Sequence, residues 1–323
     1  MTTTNKYMSP YTDFGFKKLF GTEANKDLLI DFLNQLIREQ GRITDITYLR
    51  NEHVGRSPAD RRAVFDLFCT NERGEKFIVE MQRAKQKYFK DRSVYYSSFP
   101  IQEQAMAGNT WDFQLKSVYF VGILDFVFDE DRDDDEYCYY HEVKLMDVNR
   151  KNVFYDKLTF IYLEMPKFRK TEQELKTHFD KWLYAIKHLS ILEERPAKLR
   201  ERVFGRLFRI AEIACFTPEE ASVYEDSLKV YRDLKNVIDT AVEEAREEAR
   251  EKGLKEGLQE GIQKGIQEGI QKGEALGLTK GRTEEKAEVA ARCAREGMST
   301  EFIAKVTGLS VKEITVILEK QVK

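Results

Sequence analysis

The chain has 323 residues, of which 41% are hydrophobic and 12% aromatic, enough for one ordinary domain with a sizeable core and a second, smaller region. The formal net charge is −3, so overall charge does not mark a nucleic-acid-binding protein, and any attraction to DNA must come from a local patch. No apolar run approaches the roughly 18 residues of a membrane span, no signal-peptide pattern opens the chain, and the four cysteines lack metal-site spacing. We therefore expect a cytoplasmic protein with no membrane segment.

Two short helices are predicted near the N-terminus. Apolar residues recur at helical spacing over residues 14–38, and the pattern breaks near Gly21. Thr12 and Asp13 directly precede this pattern, where a short polar side chain caps a helix and an acidic one complements its dipole. We therefore favour capping and dipole roles for these two residues.

A β-hairpin is predicted over residues 63–82, AVFDLFCTNERGEKFIVEMQ. Two runs rich in β-branched and aromatic residues flank a short polar segment that contains Gly74. A type I turn with a bulge needs one residue in the left-handed conformation, and Gly74 suits that position of a three-residue loop. Such a loop pairs Asn71 with Glu75 and thereby fixes the register of the two strands.

The predicted register places two carboxylates, Asp66 and Glu80, opposite each other on one face of the hairpin. Directly opposed like charges destabilise an antiparallel pair, so this arrangement favours a cation between them. Gln82 shares the face because side chains alternate along a strand, and an oxygen-rich set suits Mg²⁺, which keeps waters for metal-assisted hydrolysis. The other face is apolar and can pack on a core: Phe65, Leu67, Phe77, Val79 and Met81.

Two other interpretations of these acidic residues stay open. Acidic side chains are common on the solvated face of a strand. In addition, a one-residue change in the loop register would place Asp66 and Glu80 on opposite faces of the hairpin. The metal-site hypothesis therefore depends on the register of the two strands.

Basic residues with interleaved aromatics directly follow the hairpin. The segment RAKQKYFKDR can neutralise DNA phosphates without sequence preference, or it can be a solvated loop that leads into a helix at about residues 91–107. A second basic cluster precedes the hairpin and is open to the same two interpretations. The basic residues of the first cluster are Arg83, Lys85, Lys87, Lys90 and Arg92, and those of the second are Arg56, Arg61 and Arg62.

Strand-like segments with an intervening helix predict an α/β domain with a mixed sheet flanked by helices. From about Glu172 the strand signals give way to amphipathic helices, and Thr217 and Pro218 are predicted to begin another helix. We divide the chain into residues 1–170, a helical region at 171–250, a glycine array at 251–284 and a small helical hairpin at 285–323. The predicted strands are residues 43–50, 63–69, 76–82, 118–127, 137–147 and 158–165.

In the glycine array, glycines recur every fourth residue from Gly253 to Gly281, and most are followed by Leu or Ile. Each glycine costs a helix about 1 kcal/mol relative to alanine, so a helix here requires a packing partner. Glycines at this period favour close, right-handed crossing of helices, which predicts a homo-oligomer. The alternative is a flexible, partly helical linker.

The end of the chain resembles a small helix-turn-helix. Gly308 lies at the predicted turn and Ser310 at the start of the second helix. A helix of this kind can read DNA, but its lysines stand among acidic neighbours, so we favour a hairpin that packs on protein. The residues predicted to bury one face are Ile303, Val306, Leu309, Ile314 and Ile317.

Several segments together resemble the recombination-promoting nuclease and transposase family of the PD-(D/E)XK nuclease superfamily. The resemblance is carried by TDFGFKKLFGTEANKDLLIDFLNQLI, FDLFCTNERGEKFIVEMQ, YYSSFPIQEQAMAG, SVYFVGILDF and the array EKGLKEGLQEGIQKG. It implies that residues 1–170 form a PD-(D/E)XK nuclease-like domain in which Asp66 and Glu80 are the acidic motif residues. Gln82 stands where many members of the superfamily carry lysine.

This glutamine departs from the superfamily pattern because it cannot bring a positive charge to the attacking water or the phosphate. The resemblance implies that the metal ion does more of this work, or that a lysine such as Lys17 or Lys85 reaches the site. Some superfamily members take an extra acidic group from the first helix, which makes Asp13 a further candidate. Gln104 matches a glutamine of the family and is either a site residue or a surface residue.

The resemblance and the hairpin together predict a metal-dependent DNA endonuclease. Asp66, Glu80 and Gln82 are its expected catalytic residues, and Asp66 and Glu80 hold Mg²⁺, with Mn²⁺ or another divalent cation as alternatives. A role in recombination or mobile-element movement is implied by the resemblance alone. Two other functions stay open: a catalytically inactive nucleic-acid-binding or oligomerising protein on a nuclease fold, and a transposase that also joins DNA ends.

Overall fold

Residues 5–37, 41–53, 63–105, 112–129 and 138–321 are described by the structure, a computed structural model. The chain divides into two compact units, Met1–Thr240 and Ala241–Lys323. The predicted basic cluster before the hairpin lies outside the described residues. Among the helices of the described ranges, none joins enough length to enough hydropathy for a membrane crossing.

A mixed six-stranded sheet forms the centre of the first unit, which confirms the predicted fold class. Its strand order is β1-β4-β5-β6-β8-β7, while β2 and β3 form a separate two-stranded sheet. The neighbours β5, β6 and β8 run parallel, and the other pairs are antiparallel. The strands are β1 (Ile46–Tyr48), β2 (Glu52–His53), β3 (Ala63–Val64), β4 (Leu67–Asn71), β5 (Lys76–Gln82), β6 (Val118–Leu124), β7 (Tyr140–Asp147) and β8 (Asn152–Glu164).

Helices cover both faces of the sheet and make up the C-terminal part of the chain. Thr12 caps the first helix through a 3.0 Å hydrogen bond from the Gly15 N–H to Thr12 Oγ1, and Thr217 accepts the Glu220 N–H at 3.2 Å. Both predicted helix starts are therefore confirmed. The α-helices are α1 (Asp13–Phe20), α2 (Lys26–Leu36), α3 (Phe89–Gln102), α4 (His178–His188), α5 (Arg202–Ala211), α6 (Pro218–Arg295), α7 (Thr300–Thr307) and α8 (Val311–Gln321).

Two hydrophobic cores lie on opposite faces of the sheet. Along β5, Phe77, Val79 and Met81 belong to the larger core, whereas Ile78 belongs to the smaller one, as the two-residue period of a strand requires. The larger core also contains apolar residues of α1, α2, α4, α5 and the start of α6, so the helices after β8 share a core with the sheet. The smaller core is covered by α3, which contributes Phe89.

β1 and β6 are shorter than predicted and β2 was not predicted, but two other strands show the differences that matter for the site and the sheet. The segment predicted as residues 63–69 is split, because the chain leaves extended geometry at residues 65–66 between β3 and β4. As a result Phe65 packs in the smaller core and not on the face of Leu67, since alternation holds only within a continuous strand. In addition, β8 begins at Asn152, six residues before the predicted start, where it pairs with β7 in an exposed ribbon.

The second unit is entirely helical in its described residues. The glycine array lies inside α6, which continues through it without a break. Gly308 ends α7 in the left-handed conformation, with φ of 67°, and Ser310 Oγ accepts the Glu313 N–H at 3.3 Å. Ile303 and Ile314 are buried together as predicted, whereas Val306 is exposed because it lies on the outer face of α7.

Candidate functional site

The turn and register of the β4–β5 hairpin are those predicted from the sequence. Gly74 has φ of +81°, its N–H donates to Asn71 O at 3.0 Å, and the Asn71 N–H donates to Glu75 O at 3.1 Å. Leu67 therefore pairs with Val79. This register brings Asp66, directly before β4, to the same level as Glu80.

Asp66 and Glu80 each bind the backbone of the other's segment. The Asp66 N–H donates to Glu80 Oε1 at 3.1 Å, and the Met81 N–H donates to Asp66 Oδ2 at 2.8 Å. The interruption between β3 and β4 is also stabilised by Asn51, whose Nδ2 donates to Asp66 O at 3.0 Å. One oxygen of each carboxylate is thus fixed by an amide, and the second oxygen of each is the candidate ligand for an ion.

Glu80 lies at the edge of the smaller core and is only 5% exposed. An acidic residue on a solvated strand face would be mostly exposed, so that interpretation does not hold for Glu80. Burial of a carboxylate is costly unless a cation or hydrogen-bond donors stabilise it. Glu80 is therefore stable at this position only in its protonated form or beside a compensating charge.

The pKa values of both carboxyl groups are raised. Burial is the main cause for Asp66, and the charge of Asp13 adds to it, while the Met81 N–H, Lys17 and Arg83 act in the opposite direction. Burial and the charge of Asp66 raise the pKa of Glu80 to about 8. A buried and a half-buried acid that share a site cannot readily both ionise without a nearby cation, so a divalent ion would stabilise the ionised pair.

The stability of the metal-free protein should depend on pH through Glu80. Its pKa is raised from 4.5 to about 8, so the folded chain holds a proton that the unfolded chain releases. This contribution is complete below the unfolded pKa and is lost as the pH rises through the folded pKa. We expect the free energy of unfolding in EDTA, measured by urea denaturation, to fall over this window. Glu80→Gln should flatten the decline, and an unchanged slope in this variant would contradict the assignment.

Gln82 lies one strand period beyond Glu80 and contacts Arg92. Gln82 Nε2 donates to Ala84 O at 2.8 Å, and Gln82 Oε1 accepts a hydrogen bond from Arg92 Nη2. The same Arg92 nitrogen lies 3.6 Å from Glu80 Oε2. The guanidinium group of α3 therefore lies beside the two polar side chains at the end of β5.

The two predicted additions from α1 lie close enough to influence the site. Lys17 Nζ forms an ion pair with Asp13 Oδ1 at 2.9 Å. Asp13 raises the pKa of Asp66, and Lys17 lowers the pKa values of both Asp66 and Glu80. The charges of Asp13 and Lys17 therefore act on the acidic pair, while Thr12 is the capping residue of this helix.

The predicted DNA-binding segment is distributed along the same edge of the sheet. Lys85 forms an ion pair with Asp129 and does not contact Asp66 or Glu80. Lys87 lies over the Tyr88 ring at 5.4 Å, and Lys90 lies over the Phe128 ring at 4.3 Å. These three lysines are exposed, whereas Arg83 and Arg92 are half-buried nearer to the site.

Gln104 is not part of the site, which corrects its inclusion among the candidates. Its side chain accepts the Lys116 N–H at 2.6 Å and donates to Lys116 O at 3.3 Å. Lys116 precedes β6 and lies beside Gly74, at the opposite end of β5 from Glu80. Gln104 therefore joins the end of α3 to the turn end of the sheet.

The sequence analysis did not identify Tyr96 or Asp125, which lie near the end of β5 that carries Glu80 and Gln82. The pKa of Tyr96 is raised by burial and by the charges of Glu80 and Asp66, which places it beside the pair. Asp125 donates its N–H to Gln82 O at 2.9 Å and lines a cavity of about 150 Å³ with Arg83. The four-residue spacing from Arg92 to Tyr96 was a usable signal, because residues four apart share a helix face.

The donor chemistry at Asp66 and Glu80 fits a hard divalent cation. No group of three or more His, Cys, Asp or Glu side chains is placed for metal binding in the described ranges. Mg²⁺ does not require one, because it is commonly bound by one or two carboxylates and keeps several waters. Buried Glu80 and half-buried Asp66, with a neighbouring amide at Gln82, meet that requirement.

The chain was compared with family models, curated proteins and solved structures. The model of the PD-(D/E)XK nuclease family transposase matches residues 10–241. This range includes the whole sheet, α3 and the acidic pair, and it is well over half of the chain. No curated protein and no solved structure matches significantly. The chain therefore belongs to the PD-(D/E)XK nuclease family of transposases.

Proposed function

We propose that the protein is a metal-dependent DNA endonuclease that hydrolyses phosphodiester bonds. The observation that carries this proposal is the pair of Asp66 and Glu80, which are fixed by reciprocal backbone hydrogen bonds at 3.1 and 2.8 Å. Fixed carboxylates of raised pKa are typical of functional sites, because such an arrangement stabilises the fold poorly on its own. Family membership supports nuclease chemistry at this pair.

Asp66 and Glu80 would hold Mg²⁺, and Mn²⁺ fits the same oxygen ligands. The bound ion would activate water and neutralise charge on the phosphate. The side-chain amide of Gln82 would orient the water or a phosphate oxygen. Arg83, Lys85, Lys87, Lys90 and Arg92 would hold the DNA backbone, with an affinity that falls steeply as salt rises.

Purified protein should nick and linearise supercoiled plasmid in Mg²⁺ and should not do so in EDTA. Asp66→Ala and Glu80→Ala should each remove cleavage while the variants remain folded by circular dichroism. DNA binding, measured at the same salt concentration by fluorescence anisotropy, should persist because the basic residues are intact. Cleavage that survives either substitution would contradict the assignment of the site.

The absence of lysine at position 82 motivates a second candidate function, a nucleic-acid-binding protein on an inactive nuclease fold. That candidate predicts binding without cleavage across several divalent ions, for the wild type and for Glu80→Ala alike. A transposase with strand-transfer activity would join a labelled DNA end to the plasmid as well as cut it. The plasmid assay therefore separates the three functions.

Self-association through the glycine array is part of the proposal. Leu254, Leu258, Ile262, Ile266 and Ile270 are each more than half exposed on α6, and a Cβ added at the array glycines meets nothing within 4 Å. An open glycine surface beside an apolar row suits close packing against a second copy. Two copies would bring two nuclease sites to one duplex for paired cuts.

We also propose a cytoplasmic location and a role in recombination or mobile-element movement. All four cysteines are free thiols, which is typical of a reducing compartment. The family name supports the role in DNA movement. Cell fractionation and a recombination assay in cells that carry Glu80→Ala would test these two statements.

A further inference from the structure

Arg92 is held within the acidic site by five neighbouring side chains. Its Nη2 atom donates to Gln82 Oε1 and lies 3.6 Å from Glu80 Oε2, while Nη1 donates to Gln86 Oε1 at 2.5 Å. The guanidinium carbon lies 5.1 Å from the Phe89 ring centroid and 5.5 Å from that of Tyr96. The group is therefore positioned by hydrogen bonds at its edge and by aromatic rings at its faces.

One N–H donor of this guanidinium group makes no hydrogen bond among the described residues. Arg92 Nε is buried and has no hydrogen-bond acceptor among the described residues. A buried donor without an acceptor is unfavourable because it has lost its hydrogen bonds to water without replacing them. If Arg92 served only to hold Gln82 and Glu80, this N–H donor would stay unsatisfied. A phosphate oxygen would accept its hydrogen bond.

The lysines that could have supplied the missing positive charge are engaged elsewhere. Lys85 pairs with Asp129, and Lys17 pairs with Asp13 at 2.9 Å. Arg92 instead contacts both Glu80 and the glutamine at position 82. The positive group in contact with Glu80 therefore comes from the first turn of α3 and not from β5.

We propose that Arg92 is the resident cation of this site and alternates between two partners. In the metal-free protein it lies beside Glu80 and donates to Gln82, and in the DNA complex it binds a nonbridging oxygen of the phosphate to be cut. This inference rests on the proposed nuclease function and assigns the phosphate contact within it. Arginine suits this contact because its planar fork forms paired hydrogen bonds with phosphate.

The proposal requires opposite effects on metal binding and on cleavage. A guanidinium beside Glu80 competes with a divalent cation for the same carboxylate, so its removal should tighten metal binding. The phosphate contact is lost in the same variant, so cleavage should fall. A purely structural arginine would instead loosen the site and weaken metal binding and cleavage together.

The experiment measures Mn²⁺ binding by isothermal titration calorimetry without DNA, and plasmid cleavage at saturating Mn²⁺, for Arg92→Gln. We expect about tenfold tighter Mn²⁺ binding, since a neighbouring unit charge is removed, and cleavage about 10²- to 10³-fold slower. Arg92→Met is a second neutral variant whose unbranched side chain keeps the packing against Phe89 and Tyr96. Arg92→Lys keeps the charge, so its Mn²⁺ affinity should stay near the wild-type value while cleavage falls.

Arg73→Gln is the matched control. Arg73 Nη2 lies 2.8 Å from Glu75 Oε2, a comparable arginine–glutamate pair at the turn end of the same hairpin. This variant should change neither Mn²⁺ affinity nor cleavage per folded molecule.

Four outcomes decide the proposal. Tighter Mn²⁺ binding with slower cleavage in both neutral variants would support both partners of Arg92. Unchanged or weaker Mn²⁺ binding in these variants would overturn the competition with metal, and unchanged cleavage would overturn the phosphate contact. If the wild type cuts no DNA with any divalent ion, the proposed function fails, and tighter Mn²⁺ binding in Arg92→Gln would still support the competition at Glu80.

Discussion

Glu80→Gln is expected to abolish DNA cleavage and, at the same time, to make the metal-free protein more stable. The ionised form of Glu80 is disfavoured by burial and by Asp66, which together raise its pKa to about 8. A neutral amide keeps the acceptor for the Asp66 N–H but has no charge to bury. At pH 8 in EDTA we expect a gain of up to about 4 kcal/mol, since the pKa of Glu80 is raised from 4.5 to about 8 and one pKa unit corresponds to about 1.4 kcal/mol.

The same substitution removes a charged oxygen from the proposed metal site. Loss of even an outer-shell partner of a metal ligand reduces metal affinity or activity by about 10- to 100-fold, so loss of a ligand should reduce cleavage by more than this. Stability is measured by urea denaturation in EDTA and cleavage by plasmid nicking in Mg²⁺. Added Mg²⁺ should raise the melting temperature of the wild type and leave that of Glu80→Gln unchanged.

Glu75→Gln is the matched control for this experiment. Glu75 is also buried, at 7% exposure, but Glu75 Oε2 receives Arg73 Nη2 at 2.8 Å and a hydrogen bond from Asn71 Nδ2 at 2.5 Å. Its charge is satisfied, so the amide should lower stability and leave the chemistry intact. A less stable Glu80→Gln variant would indicate that Glu80 has a structural role, and an active one would show that Glu80 is not a required ligand.

The acidic pair could be predicted from the sequence because its geometry is local. A single glycine with positive φ fixes the loop at Gly74, and the two-residue period of the strands then carries the register from Asn71 and Glu75 to Asp66 and Glu80. This register depends on the hairpin alone, so an error in predicting the longer-range packing does not change it. The same rule failed at Phe65, because the strand is interrupted there and the period is lost.

The cation beside the pair could not be placed from the sequence in the same way. Arg92 follows Glu80 by twelve residues and enters the site only because α3 packs across the smaller core through Phe89. A cluster of basic residues predicts phosphate affinity but not which member turns inward. Gln104, just beyond the other end of α3, was grouped with the site because it matches a glutamine of the family, and sequence alone gives no orientation of this helix on the sheet that would have separated it.

Substitution of three residues of the glycine array is expected to dissociate the proposed oligomer. The triple variant combines Leu258→Ala, Ile262→Ala and Ile266→Ala. It truncates three residues that are 64%, 54% and 58% exposed. Each buried CH₂ contributes about 0.8 kcal/mol, so the triple variant should weaken association by about 10³-fold or more if the row is buried between copies. Size-exclusion chromatography with light scattering should show an oligomer for the wild type and a monomer for the variant.

The control replaces the neighbouring Gln259, Gln263 and Gln267 by alanine. It makes the same number of changes in the same helix and retains good helix formers, so altered helicity alone cannot explain a difference between the two triple variants. If paired cuts require two copies, the apolar variant should still nick plasmid but should linearise it more slowly, while the glutamine variant should do both. An oligomer that persists in the apolar variant would exclude this row as the interface. A monomeric wild type would leave α6 to stand alone as a helix, with eight glycines that each cost about 1 kcal/mol, which favours the linker interpretation.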